Sequence, residues 1–258
     1  MSIERRTFLK YALAGCSCCV APALSQAADH AATNWSYEGA TGPAHWGELS
    51  PDFKTCSLGQ QQTPIDLTSA MKPDVGITID YRAFPLRLAN NGHTIQATLG
   101  GESRCSITLD RARYDLAQFH FHHPSEHLLD GVAFDMEAHL VHATPKGNLA
   151  VVGIFMKAGA HNAALDVIFN HLPLNAGSDV LASHSFDPAV LLPANRSAFR
   201  YTGSLTTPPC TEGLAWTVFR EPIEVSSEQI RRFALLFPNN ARPVQQQKEQ
   251  PIAQAGRT

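Results

Sequence analysis

Residues 116–142 read LAQFHFHHPSEHLLDGVAFDMEAHLVH, and six of the chain's twelve histidines fall within them. The run alternates. In an extended strand, residues two apart share a face, so Gln118, His120 and His122 point one way while Phe119 and Phe121 point the other. Phe134 to Val141 alternates in the same manner and aligns Glu137, His139 and Val141. Two adjacent strands of this kind bring the imidazoles of His120, His122 and His139 to one point. Three neutral nitrogens with a fourth position open are the donor set of a catalytic zinc site; structural zinc sites close with four ligands, usually rich in cysteine.

The neighbours in phase with these histidines fit the same chemistry. A ligating imidazole needs an acceptor for its other N–H, which fixes the tautomer and the ring plane. Gln118 lies two before His120, and Glu137 two before His139, each on its ligand's face. Scattered strand histidines would not come with acceptors placed in this way.

QFHFHHPSEH followed by EAHLVH resembles the active-site strands of the alpha-class carbonic anhydrases. Other stretches resemble the same family in order along the chain: Trp35-Ser36-Tyr37, Gly42-Pro43-Ala44-His45-Trp46-Gly47, Gln60 to Leu67 (with Thr63 in place of the usual serine), and Asn90-Asn91-Gly92-His93. Phe186-Asp187-Pro188, Leu191-Leu192-Pro193 and Tyr201 to Pro209 continue the match, which spans about residues 35–244. The zinc strands and the Thr206-Thr207-Pro208-Pro209 loop are specific; the Asn90–His93 turn alone is weak.

The resemblance implies reversible hydration of carbon dioxide to bicarbonate and a proton, by attack of zinc-bound hydroxide. It makes His120, His122 and His139 the ligands of one Zn2+ per chain. It places Gln118, Glu137 and Asn240 behind those ligands, Thr206 as gatekeeper of the nucleophile, and Glu126 as the carboxylate that orients Thr206. Val141, Val151, Leu205 and Trp216 become the apolar wall for carbon dioxide, with Thr207 contacting bicarbonate. His93 becomes the proton shuttle, with Tyr37, Asn91 and Gln96 holding the connecting waters. Strict alternation puts Gln96 on the face opposite Asn91 and His93 unless a bulge intervenes, so its place rests on the resemblance alone.

Two rival functions remain open at this point. His120-x-His122 with Glu126 also fits the spacing of a cupin-type iron or manganese oxygenase, with His139 as fourth ligand, although the glycine spacing of that family is missing. A carbonic-anhydrase-related module that binds zinc without turnover is the other, although such relatives usually lose a zinc histidine and all three candidates are present here.

The first residues read as an address. Glu4-Arg5-Arg6-Thr7-Phe8-Leu9-Lys10 resembles a twin-arginine export motif, followed by a small and apolar stretch and by Ser25-Gln26-Ala27, a small-x-small cleavage site. The stretch is too short and too rich in Ala, Gly and Cys for a membrane anchor. The expectation is a signal peptide over 1–27 and a periplasmic or secreted domain over 28–258. Leu13-Ala14-Gly15-Cys16 offers a competing lipoprotein reading with Cys16 acylated. Cleavage after Ala27 removes three basic residues and one acidic residue, and takes the formal charge from −3 to −5. No basic run suggests a nucleic-acid surface. Homodimer formation is left open.

Export also removes Cys16, Cys18 and Cys19, leaving Cys56, Cys105 and Cys210. An odd count in an oxidising compartment implies one bridge and one free thiol. Spacing does not choose the pair; the resemblance implies Cys56–Cys210.

Short strand-like runs recur at 76–81, 86–90, 93–99, 104–109, 116–122, 134–141, 149–156 and 214–219, separated by turn residues. They predict an α+β, mainly β single domain around one large, twisted, mostly antiparallel sheet, with short surface helices. Ala160 to Leu172 reads as one helix, and Ser226 opens another through Phe233 and Leu236 with a capping-box pattern. The polar tail from about residue 245 is expected to fray.

Overall fold

The computed structural model describes residues 34–71, 76–99 and 105–246, the side chains of 182–184 excepted. The expected signal peptide, Cys16 and most of the polar tail lie outside those residues. The strands are β1 (Asp66–Leu67), β2 (Ile77–Asp80), β3 (Phe84–Asn90), β4 (Ile95–Leu99), β5 (Ser106–Leu109), β6 (Ala112–His122), β7 (Leu128–Leu129), β8 (Met136–Ala143), β9 (Leu149–Ala158), β10 (Asp179–Phe186), β11 (Ala198–Ser204) and β12 (Glu212–Val225). Ten of them form one sheet in the order β10-β3-β4-β6-β8-β9-β12-β11, with β5 also paired to β6 and β2 paired to β5. β1 and β7 make a separate two-stranded parallel pair.

Each predicted strand is present, several of them longer than their sequence run. β10, β11 and the β1–β7 pair carry no alternation strong enough to announce them. The sheet is mostly antiparallel, with one exception inside it: β12 runs parallel to β9, with Trp216 opposite Val151. A parallel neighbour requires a long crossover, here the chain from Gly159 to Thr211.

β8 lies in the middle of the sheet and is covered on both faces, so nearly all its residues are buried. Alternation still sorts them. Met136, Ala138 and Leu140 join the larger core with Phe119, Phe121, Val152 and Ile154. Val141 instead packs against the smaller core of Val151, Phe155, Phe199, Tyr201 and Trp216. Glu137 and His139 share the face of Val141, so the histidines stand on the opposite side of the sheet from the main apolar core.

Helices are short: α1 (Trp46–Leu49), α2 (Thr55–Leu58), α3 (Asp166–Phe169) and α4 (Ser227–Ala234). α4 starts as predicted. The Ser226 side chain accepts from Gln229 N–H and the Gln229 side chain reaches back to the Ser226 N–H, an arrangement worth about 1 kcal/mol. Its Ile230 and Phe233 are buried in the larger core, each contributing roughly 1.5–3 kcal/mol. The long helix expected over Ala160 to Leu172 does not form. A 3-10 turn at Ala163–Leu165 leads into the single turn of α3. Pro173 disfavours a helical Leu172, and Leu165, Ile168 and Phe169 reach the core from this one compact turn.

Candidate metal centre

β6 and β8 are antiparallel neighbours in a register that sets His120 directly opposite His139, and His122 opposite Glu137. One nitrogen from each of His120, His122 and His139 lies within 4.8 Å of the others. The remaining ring nitrogens are all engaged. His120 Nδ1 meets Gln118 Oε1 at 2.8 Å, His122 Nδ1 meets the Asn240 carbonyl at 2.7 Å, and His139 Nε2 meets Glu137 Oε1 at 2.9 Å. Each acceptor holds a proton on the nitrogen it faces. That leaves Nε2 of His120, Nε2 of His122 and Nδ1 of His139 as lone-pair donors.

Three properties fit this set to a cation. His122 Nε2 is buried without a hydrogen-bond partner among the described residues, a costly state unless something accepts its lone pair. Burial lowers all three imidazole pKa values, His122 to about 4 and His120 well below the usual value, helped by its histidine neighbours. The rings are therefore neutral at neutral pH, the form that binds metal. Three imidazoles and no thiolate suit zinc, with an open fourth position.

Behind His139 the expected acceptor Glu137 anchors a wider network that the sequence did not suggest. Glu137 Oε2 accepts the backbone N–H groups of Glu126 and His127, both at 2.9 Å. Its Oε1 faces His127 Nδ1 at 2.7 Å as well as His139. Burial alone would raise the Glu137 pKa, but the facing imidazoles of His127 and His139 hold it well below the usual value. His127 continues to Tyr201 at 2.6 Å, and the Tyr201 and Thr63 hydroxyls share a bond of 3.2 Å. Thr63 and Ser204 exchange two further bonds, Thr63 N–H to Ser204 Oγ and Ser204 N–H to Thr63 Oγ1, each 2.9 Å. Because threonine keeps serine's hydroxyl, this departure from the usual residue costs no bond.

Ser204 opens the loop that carries Thr206 and Thr207. Leu205 N–H to Thr211 carbonyl and Cys210 N–H to Thr207 carbonyl close that loop at 2.9 Å each. Thr206 is buried, and so is Glu126. Glu126 Oε1 accepts the Arg242 N–H at 2.8 Å, while Oε2 makes no close bond of its own. Burial pushes the Glu126 pKa up to about 7, opposed by His139, the Arg242 amide and the Thr206 hydroxyl. Glu126 lies outside the three-histidine group, with its Oε2 3.8 Å from His139 Nδ1.

A cavity of about 120 Å3 joins His120 and His122 to Gln118, Gln96, Thr207, Tyr37, Asn91 and His93. Gln96 reaches it because β4 pairs with β6 and sets Gln96 opposite His120. The alternation argument against Gln96 fails at the turn: Asn91 Oδ1 accepts both His93 and Thr94 N–H at 2.9 Å, and the strand phase restarts at Ile95. His93 stacks on Trp35 with ring centroids 3.7 Å apart, and partial burial lowers its pKa. Tyr37 is raised well above the usual value by burial and by Glu126. Val151 and Trp216 are buried, with Val141 and Leu205 packed against them, and the Trp216 ring lies 4.9 Å from that of His139. Cys56 and Cys210 form a disulfide with Cα atoms 5.0 Å apart, and Cys105 is a buried thiol outside that bridge, hydrogen-bonded to the Arg82 backbone.

The model of the eukaryotic-type carbonic anhydrase family matches residues 41–256. The chain belongs to this family. Among its members, a carbonic anhydrase of Nostoc is 44% identical over 93% of this chain and 90% of its own length. One from Klebsiella pneumoniae is 40% identical over 83% of this chain and 88% of its own. In three dimensions the chain is similar to the alpha-carbonic anhydrase of Thermovibrio ammonificans solved with the inhibitor sulfanilamide. That pair has a TM-score of 0.79 and 42% identity over 84% of this chain and 97% of the other. Within this carbonic anhydrase fold, the sequence reading missed His127, Tyr201, Thr63 and Arg242. The pair Glu126-His127 directly after the H-x-H strand was the available signal for the first of them.

Proposed function

We propose that the protein is a zinc enzyme that catalyses the reversible hydration of carbon dioxide to bicarbonate and a proton. The observation that carries this reading is the convergence of three neutral imidazoles whose outer nitrogens are all held by acceptors. When bound there, zinc would supply a Lewis acid that makes water nucleophilic near neutral pH, as it does in carbonic anhydrases generally.

The chain's own residues supply the rest. Thr206 accepts a hydrogen from the nucleophile and gives its own to Glu126, so that a lone pair faces the substrate carbon. A cation close by favours the ionised Glu126 carboxylate that this donation needs. Carbon dioxide has no charge to recognise, and the cluster around Val141, Val151, Leu205 and Trp216 gives it an apolar shelf. Thr207 contacts the bicarbonate product. His93 takes the released proton through waters held by Tyr37, Asn91 and Gln96 and passes it to solvent; a histidine can do both near neutral pH.

His120→Ala, His122→Ala and His139→Ala should each remove bound zinc and most of the hydration activity. Undiminished hydration in two metal-depleted variants would sink the assignment. We further propose export through the Arg5-Arg6 segment and maturation near Ala28. Amino-terminal sequencing of the processed protein tests this, and an acylated Cys16 start would replace it with the lipoprotein reading. Among the described residues no helix is long and apolar enough to cross a membrane.

A further inference from the structure

Arg242 carries a guanidinium in the interior, 2% exposed, where burial lowers its pKa to about 10, and it lies outside both the three-histidine group and the cavity beside it. Its backbone N–H donates to Glu126 Oε1 at 2.8 Å. Its guanidinium turns the other way. Nη1 donates to the Thr63 carbonyl at 2.7 Å and Nη2 to the Cys56 carbonyl at 3.0 Å, while the group lies over the Trp46 ring, 5.6 Å from its centroid.

The two carbonyls belong to residues that grip the Thr206 loop at its two ends. Thr63 exchanges two hydrogen bonds with Ser204, two residues before Thr206. Cys56 is bridged to Cys210, four residues after it. One residue therefore holds Glu126 by its amide and both anchors of Thr206 by its side chain. Burying a guanidinium is costly unless its geometry is needed, and a planar fork reaching two carbonyls is a geometry that lysine cannot copy.

We propose that Arg242 is a positioning residue that sets the Thr206–Glu126 distance, and through it the aim of the nucleophile. The inference rests on the function proposed above. Sulfanilamide is a suitable probe, because its sulfonamide N–H can donate to Thr206 in the way the nucleophile does.

The experiment is a double-mutant cycle of Arg242→Met and Thr206→Ala on zinc-loaded protein, reading sulfanilamide affinity and kcat/KM together. Arg242→Met should weaken sulfanilamide and lower kcat/KM by about tenfold or more when Thr206 is present. It should change both less than about twofold once Thr206→Ala is in place. Zinc content and thermal unfolding are measured on each variant. If Arg242→Met does not fold, Arg242→Lys takes its place, with a smaller effect that must vanish in the same way. Effects that multiply in the double variant would show that Arg242 only stabilises the fold, and would overturn the proposal. Wild-type protein that binds zinc and sulfanilamide but hydrates no carbon dioxide would instead overturn the function on which it rests.

Discussion

Glu137→Gln exposes how much the metal centre depends on one carboxylate. Glu137 accepts four hydrogen bonds, two from the backbone amides of Glu126 and His127 and two from the His127 and His139 rings. An amide has one acceptor oxygen, so its NH2 group must face one of these pairs. Turned toward the backbone amides, it opposes donors that cannot move, and each buried group left unpaired costs about 1–3 kcal/mol. Turned toward the rings, it can be met if the imidazoles shift their protons. For His139 that shift puts hydrogen on Nδ1, the nitrogen that would bind zinc. The cheaper arrangement thus disables a ligand, and zinc affinity should fall by about 10–100-fold. Competition with a chromophoric chelator measures the affinity, and thermal unfolding of the metal-free protein measures the fold. A folded variant whose zinc affinity stays within about twofold of wild type would refute the reasoning.

Proton transfer should separate from carbon dioxide chemistry. His93→Ala should lower turnover, most clearly in dilute buffer, with imidazole restoring it and equilibrium exchange unchanged, whereas Thr206→Ala should lower both without rescue. Loss of exchange in His93→Ala would make His93 architectural. Replacing Cys56 and Cys210 together by serine releases a loop of sequence separation 154. On the chain-entropy model this costs about 5 kcal/mol, read as a lower denaturant midpoint, and an unchanged midpoint would contradict it. Burial lowers the pKa values of His120, His122, His139 and His142, His122 and His142 to about 4. As pH falls from about 6.5, unfolded histidines bind protons that these folded ones refuse until lower pH, so metal-free protein should lose stability through that window. Glu126, raised to about 7, works oppositely by binding its proton earlier when folded, but one group opposes five, since partial burial lowers His93 as well. A denaturant midpoint that rises between pH 6.5 and 5 would contradict this.

What the sequence made legible was local and periodic. Alternation alone placed His120, His122 and His139 on shared faces, and phase identified Gln118 and Glu137 as their acceptors. Strict alternation breaks where the chain leaves the strand, at Asn91 to Thr94, so Gln96 could be placed beside Asn91 only through the resemblance. It could not foresee the parallel β9–β12 pairing, because pairing across a crossover leaves no period in the sequence. The His122 acceptor is a backbone carbonyl of Asn240, 118 residues away. A carbonyl carries no residue signature, so only the resemblance pointed to that position. Thr63, Tyr201 and Arg242 act through contacts between distant segments, and each reads locally as an ordinary polar residue.

The central claim is tested most directly by measuring zinc content and carbon dioxide hydration on one sample as metal is removed and returned. One zinc per chain is expected at full activity, with hydration falling in proportion to the metal removed and recovering on its return. Full zinc occupancy with no hydration, or hydration that persists after the metal is gone, would contradict it.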